Sequence, residues 1–343
     1  MGLIHLQDCS QIWEKLPKLK HLRIHLRFEP FKRIRSIFSL RSPTLAIQPC
    51  PSLESLSVVG QLDQLIPLLP DLFPNQMELS LDFWWFSRRI ESHDFPLLTN
   101  LPLQTLKLKR VRRLGSLEGF LLKLADDPPI VSTLKQLIIE LSSSRSYGMF
   151  TNSASLRFIA ACRSLRVLHL SHDPSSVRGF AFVDFGALFK AGNFPFLEDV
   201  RFYMDTNDIQ NRLGSIERSL FPQLKRLRVD FNFSGRDFTK KLITSFAVEV
   251  LKTSVCLQYF CLGGISPDES FFSSVAAVLT NGRMIDLSIE AKCPACNLGH
   301  TGAGTHGCKA ESDLLSKQAE RFGLYPKIFV KCSQGCGPQE NQA

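Results

Sequence analysis

The sequence predicts an α/β solenoid, with a curved parallel sheet on its concave side and helices on its convex side. Three observations predict it. A six-residue pattern, L-x-x-L-x-L, recurs about ten times. Its copies begin 23 to 34 residues apart. Many of the intervals between copies carry helical patterning.

In chain order the copies are LKHLRI from Leu19, LESLSV from Leu53, QMELSL from Gln76, LQTLKL from Leu103 and LKQLII from Leu134. They continue as LRVLHL from Leu165, LEDVRF from Leu197, LKRLRV from Leu224, LQYFCL from Leu257 and MIDLSI from Met284. Positions 4 and 6 follow the two-residue alternation of a strand and face one side, joined there by position 1. A single strand of this kind cannot bury that side. Repeats that stack can, so the strands are expected to pair side by side at one strand per repeat. A spacing in this range belongs to leucine-rich repeats.

The intervals supply the helices. Leu117–Ala125 follows Ser116, and Ser155–Cys162 follows Asn152 and Ser153, all residues that cap helix starts. Asp208–Leu220 follows Asn207. Asp237–Lys252 places Phe238, Leu242, Ile243, Phe246, Val250 and Leu251 near helical spacing. Asp268–Leu279 has an acidic start and Asn281-Gly282 as its stop. Near the C-terminus a helix is expected over about Asp313–Phe322, capped by Ser312, with Leu314, Leu315, Ala319 and Phe322 near one face and Gly323 ending it. A last strand at Tyr325–Lys331 would lie beside Met284–Ile289. The chain thus divides into an array of about ten repeats over 1–290 and a cysteine-bearing cap and tail over 291–343.

Phrases such as LPKLKHLRI, CPSLESLSV and FPQLKRLRV, in strands written P-x-L-K-x-L-x-(I/V) at irregular spacing, resemble fungal F-box/leucine-rich-repeat proteins. The resemblance covers roughly residues 1–290. It implies a repeat array that holds a target protein, and ubiquitin-ligase subunits as further partners through an F-box. No F-box is visible, because the repeat pattern already runs at Leu3. Either a preceding domain or a partner is expected to cover the first apolar surface.

Catalytic motifs are missing. The sequence holds no G-x-x-x-x-G-K-[ST], H-E-x-x-H or G-x-S-x-G. Gly302–Gly307 matches G-x-G-x-x-G, but no strand precedes it, so 291–312 reads as a glycine-rich loop. The reading is therefore not an enzyme. No apolar run of about 20 residues or N-terminal leader is present, which points to an intracellular protein of cytoplasm or nucleus with no membrane partner.

The ten cysteines form two groups. Cys9, Cys50, Cys162, Cys256 and Cys261 are scattered through the repeats and read as buried thiols. Cys293, Cys296, Cys308, Cys332 and Cys336 crowd the tail together with His300 and His306. Cys293 and Cys296 have C-x-x-C spacing, while Cys332 and Cys336 are one residue further apart. A structural zinc on these two pairs, free thiols, and a redox pair or disulfide all remain open. No other cofactor is implied.

The net charge of +9 raises nucleic acid or acidic partners as an alternative. The position between 4 and 6 gives an outward row: Arg23, Ser57, Ser80, Lys107, Ile138, His169, Arg201, Arg228, Cys261 and Ser288. The row two residues on is His25, Val59, Asp82, Lys109, Glu140, Ser171, Tyr203, Asp230, Gly263 and Glu290. A nucleic-acid groove would interleave more aromatics, so a protein partner is the leading expectation. The residues expected to touch it are Arg23, Lys107, Lys109, His169, Arg201, Tyr203 and Arg228. The run Phe83-Trp84-Trp85-Phe86 reads as packing beside a strand.

Overall fold

The computed structural model describes residues 16–25, 49–59, 69–82, 101–111, 121–122, 124–126, 128–141, 153–172, 194–205, 223–232, 237–279, 285–292 and 305–331. Two compact units divide the chain, Met1–Ala181 and Phe182–Ala343. The boundary falls inside the stretch read from sequence as one array.

In the first unit the strands are β1 (His21–His25), β2 (Ser55–Val59), β3 (Glu78–Asp82), β4 (Thr105–Val111), β5 (Gln136–Leu141) and β6 (Val167–His172). Each pairs in parallel with the next in chain order. The described helices are α1 (Leu69–Leu72), α2 (Pro128–Thr133) and α3 (Ser153–Ala161). The second unit holds β7 (Asp199–Asp205), β8 (Arg226–Asn232), α4 (Asp237–Thr253), β9 (Tyr259–Ile265), α5 (Glu269–Leu279), β10 (Asp286–Lys292), α6 (Thr305–Glu320) and β11 (Lys327–Lys331). Its strands also pair in parallel and in order. Every copy of the motif is a strand, and each unit is an α/β structure on an all-parallel sheet.

The apolar positions form the core. Leu56, Leu79, Leu106, Leu137, Leu168, Val200, Leu227, Phe260 and Leu287 at position 4 are all buried. Leu22, on β1, is half-buried, and among the described residues only β2 pairs with that strand. Position 1 is buried as well, at Leu53, Leu103, Leu134, Leu165, Leu197, Leu224 and Leu257. Gln76 occupies one of these leucine slots and is fully buried. Its Nε2 donates to the Glu78 carbonyl at 2.9 Å, while its Oε1 has no partner.

Backbone hydrogen bonds lock each repeat to the one before. The carbonyl at position 2 accepts two N–H groups from the next repeat: Lys20 from Glu54 and Ser55, Glu54 from Met77 and Glu78, Gln104 from Lys135 and Gln136. Ahead of position 1 the chain makes a turn closed by an i to i+3 bond, as from Leu53 N–H to the Cys50 carbonyl (3.3 Å) and from Gln76 N–H to Phe73 (3.2 Å). Proline at the second turn position, at Pro51 and Pro74, suits this geometry.

The helices pack on the leucine side. Ile243, Phe246, Ala247, Val250 and Leu251 of α4 are buried, and Phe246 meets Phe231 of β8 edge to face at 6.0 Å. Asp268 stands outside α5 as its N-cap, accepting the Phe271 N–H at 3.0 Å. The expected helices over Ser155–Cys162, Asp237–Lys252 and Asp268–Leu279 are thus present with shifted ends. Of Leu117–Ala125, the described residues Leu121, Leu122, Leu124 and Ala125 are helical. Asp208–Leu220, Phe83–Phe86 and the chain before Leu16 lie outside the described residues.

The C-terminal helix corrects the sequence reading. α6 begins at Thr305, inside the expected loop, and takes in Gly307. Ser312 is interior, with its carbonyl bonded by the Ser316 hydroxyl, so it caps nothing. Leu314 is 51% exposed, and the buried face is Leu315 and Ala319. Gly323 does end the helix, at φ 71°. Gly323 N–H bonds the Glu320 carbonyl and Leu324 N–H the Ala319 carbonyl, the paired bonds of a Schellman motif. β11 then lies in register beside β10, Ser288 opposite Lys327. Among the described residues no helix is long and apolar enough to cross a membrane.

Leu137 is 0% exposed on β5, paired on both sides by β4 and β6. Leu137→Ala is expected to lower unfolding free energy by about 2–5 kcal/mol in urea titration.

Candidate functional site

Residues between the buried positions of each strand point to the opposite side, and parallel registry lines them up. Arg23, Ser57, Ser80, Lys107, Ile138 and His169 are consecutive partners across the first unit. Arg201, Arg228, Cys261 and Ser288 are consecutive partners across the second. Of the residues expected to touch a partner, Arg23, Lys107, Lys109 and His169 lie on the strands of the first unit, and Arg201, Tyr203 and Arg228 on those of the second. Arg23 is exposed, whereas Lys107, Lys109, His169, Arg201 and Arg228 are half-buried. Tyr203 sits opposite Asp230 in register, and its side chain is outside the described residues.

Several cations on these strands are already paired within the chain. Lys107 on β4 is ion-paired with Glu78 on β3. That bond is the main reason the Glu78 carboxyl is held below its ordinary value, with the Ser55 hydroxyl helping and burial opposing. Arg110 pairs with Asp82, its Nε donating at 2.6 Å. The second row breaks here. Leu108 is opposite Ile139 but Val111 is opposite Leu141, so Lys109 and Arg110 together face Glu140. Arg110 takes up the extra residue at φ 52°, a left-handed conformation that costs an arginine about 1–2 kcal/mol. The fork on Asp82, which is 8% exposed, offsets that strain. Registry counting placed Lys109 opposite Glu140 and gave Arg110 no role, because nothing in the motif marks a bulge.

The second unit carries a larger network. Arg228 donates from Nε to Asp230 Oδ2 at 3.0 Å and from Nη2 to Asp230 Oδ1 at 2.9 Å. It also reaches Glu290, with Nη2 to Oε2 at 2.8 Å and Nη1 to Oε1 at 2.7 Å. Arg201 Nη2 lies 3.4 Å from Asp230 Oδ2. Arg228 is on β8 and Glu290 on β10, so their bridge crosses over β9. The residues of β9 beneath it are small: Cys261, which is fully buried, and Gly263. A Cβ on Gly263 would stand 2.1 Å from Asp230 Oδ1. Gly263 is therefore required by the carboxylate beside it, and the next residue, Gly264, forms a bulge at φ 72°.

This arrangement sets the local electrostatics. Burial works against the Arg228 cation, but the bonds to Asp230 and Glu290 outweigh it and raise its pKa further. Burial pushes the Cys261 thiol up, with Arg228 opposing. Burial also raises Tyr259, with the neighbouring Cys261 adding to the rise. Burial thus disfavours the ionised forms of Cys261 and Tyr259, while the carboxylates favour the charged form of Arg228.

The remaining thiols separate. Cys50 and Cys162 are buried as expected, and burial pushes Cys162 up to about 12. Cys256 is exposed, contrary to the buried reading, because it lies on the turn ahead of β9. Among the described residues no cluster of His, Cys, Asp or Glu could hold a metal. The suggested zinc residues Cys293, Cys296, Cys332 and Cys336 lie outside the described residues, as does the side chain of Cys308 in α6.

Comparison of the chain with protein-family models and with curated proteins finds no match.

Two outcomes follow from this face. Gly263→Ala should destabilise by about 1–3 kcal/mol. The loss should shrink when Asp230→Ala is already present, so a double-mutant cycle should show coupling. For Glu78, the folded pKa lies below the ordinary 4.5, so its ion pair stabilises fully above that value. The stabilisation is lost as pH falls through the lowered folded pKa. Lys107→Met should raise the Glu78 midpoint in a carboxyl NMR titration, and its stability cost should vanish in acid.

Proposed function

We propose that the chain is a leucine-rich-repeat array that binds a protein partner through the ladder face and performs no catalysis. One observation carries this reading. Two parallel sheets hold their outward side chains in fixed rows, Arg23 to His169 and Arg201 to Ser288. Such rows offer a rigid, pre-organised surface with chemistry that differs from strand to strand, which is what selective protein recognition needs.

Within this reading the partner is a target delivered to an intracellular ubiquitin ligase, the role implied by the resemblance of the repeats. A basic scaffold for nucleic acid or acidic partners is the second reading, favoured by the net charge of +9. The face itself supports the first. Lys107, Arg110 and Arg228 are each paired with a carboxylate of the chain, so the face is mixed in sign.

Affinity capture from cells of the source organism should compare the chain with an Arg23→Glu variant, which changes an exposed side chain and no buried leucine. The reading expects specific proteins held by the first and lost from the equally stable variant. It expects retention to change little between low and physiological salt. Equal capture by both proteins contradicts it. Binding that collapses with salt, with nucleic acid in the eluate, favours the scaffold.

A further inference from the structure

A third row crosses the second unit at the start of the strands. Across β7 to β10 it runs Asp199, Arg226, Tyr259 and Asp286. Tyr325 is placed beside it by count alone, since it lies two residues ahead of Lys327, the first paired residue of β11, as Asp286 lies two ahead of Ser288. The row therefore reads acid, cation, ring, acid, ring. Its first three members already show a working interaction. Arg226 Nε lies 3.7 Å from Asp199 Oδ2, and the Arg226 guanidinium stands 5.4 Å from the centroid of the Tyr259 ring.

We propose that the second half of the row, Tyr259, Asp286 and Tyr325, receives a lysine or arginine side chain of a protein partner. The argument is one of complementarity and spacing. Asp286 is exposed, in register with Tyr259 on one side and level by count with Tyr325 on the other. Tyr325 is 84% exposed, too open a position for a phenol ring to be explained by packing. Adjacent strands are about 4.8 Å apart, so the two tyrosine positions are about 10 Å apart. A cation between them lies about 5 Å from each ring, inside the roughly 6 Å reach of a cation–π contact. Tyrosine also supplies binding energy at protein interfaces more often than most residues. This slot rests on the partner-binding reading above and names the chemistry of one contact in it.

The chain has four tyrosines, Tyr147, Tyr203, Tyr259 and Tyr325, so 3-fluorotyrosine labelling gives four fluorine signals. Tyrosine to phenylalanine variants assign them. The probe is the capped peptide Gly-Gly-Arg-Gly-Gly, with its neutral citrulline counterpart as control. The Tyr259 and Tyr325 signals should move with the arginine peptide, and the citrulline peptide should bind at least about tenfold more weakly. Tyr325→Ala should weaken the arginine peptide about two- to fivefold, the scale of one exposed cation–π contact. Asp286→Asn should weaken it while leaving the folded signals unchanged. Stationary signals, equal response to citrulline, or equal movement of all four tyrosines would overturn the slot. Such a result leaves the partner-binding reading intact if ladder-face changes still abolish capture. If capture ignores those changes, the wider reading fails whatever the tyrosines show.

Discussion

Everything in this structure depends on a strand that cannot bury its own apolar side. Leucines at positions 1, 4 and 6 need leucines of the neighbouring repeat beside them. Hydrogen bonding then fixes how neighbours meet. The position 2 carbonyl receives two N–H groups from the next repeat, and the turn before position 1 is closed by its own bond. Together they set the starting level of each strand. A slip of one residue would turn Leu106 outward and Lys107 into the core, a loss far larger than any surface contact could offset.

Once registry is fixed for burial, the outward rows follow without further cost, and their energetics are of another kind. Exposed ion pairs on such a face contribute little to stability. Arg228 differs because it lies against the sheet between Asp230 and Glu290 and covers Cys261. Removing either carboxylate would leave a half-buried guanidinium short of partners. The outward side chains thus include a structural part around Arg228 in the second unit and more open positions, Arg23 in the first unit and Tyr325 in the second. Only the open positions can change partner contacts without disturbing the chain.

The rows were legible because they depend on counting alone. Lys107 opposite Ser80 and Ile138, or Cys261 between Arg228 and Ser288, follows from aligning copies of one motif. What escaped the count depends on contacts between repeats. The bulge at Arg110 is held by Asp82, from a different strand. The need for Gly263 becomes visible only when Asp230 is placed beside it. Gln76 fills a leucine slot because its amide finds the Glu78 carbonyl, a bond no periodicity reports. The start of α6 was missed because Gly302–Gly307 looks like a loop by composition, although the helix takes in Gly307. Helix ends carry weaker local signals than helix interiors.

The central claim is registry, and cross-strand disulfide formation tests it most directly. Ser57 and Ser80 are partners on β2 and β3, on the outward side. Adjacent strands are about 4.8 Å apart, within the roughly 4.4–6.8 Å that a disulfide spans. Ser57 and Lys107 are two strands apart, about 10 Å by the same spacing, and out of reach. Under mild oxidation of the folded protein, peptide mapping should find the bridge in the Ser57→Cys/Ser80→Cys variant. It should find none between the introduced thiols of Ser57→Cys/Lys107→Cys. A bridge in the second variant, or none in a folded first variant, would contradict the registry on which the fold and the ladder face both rest.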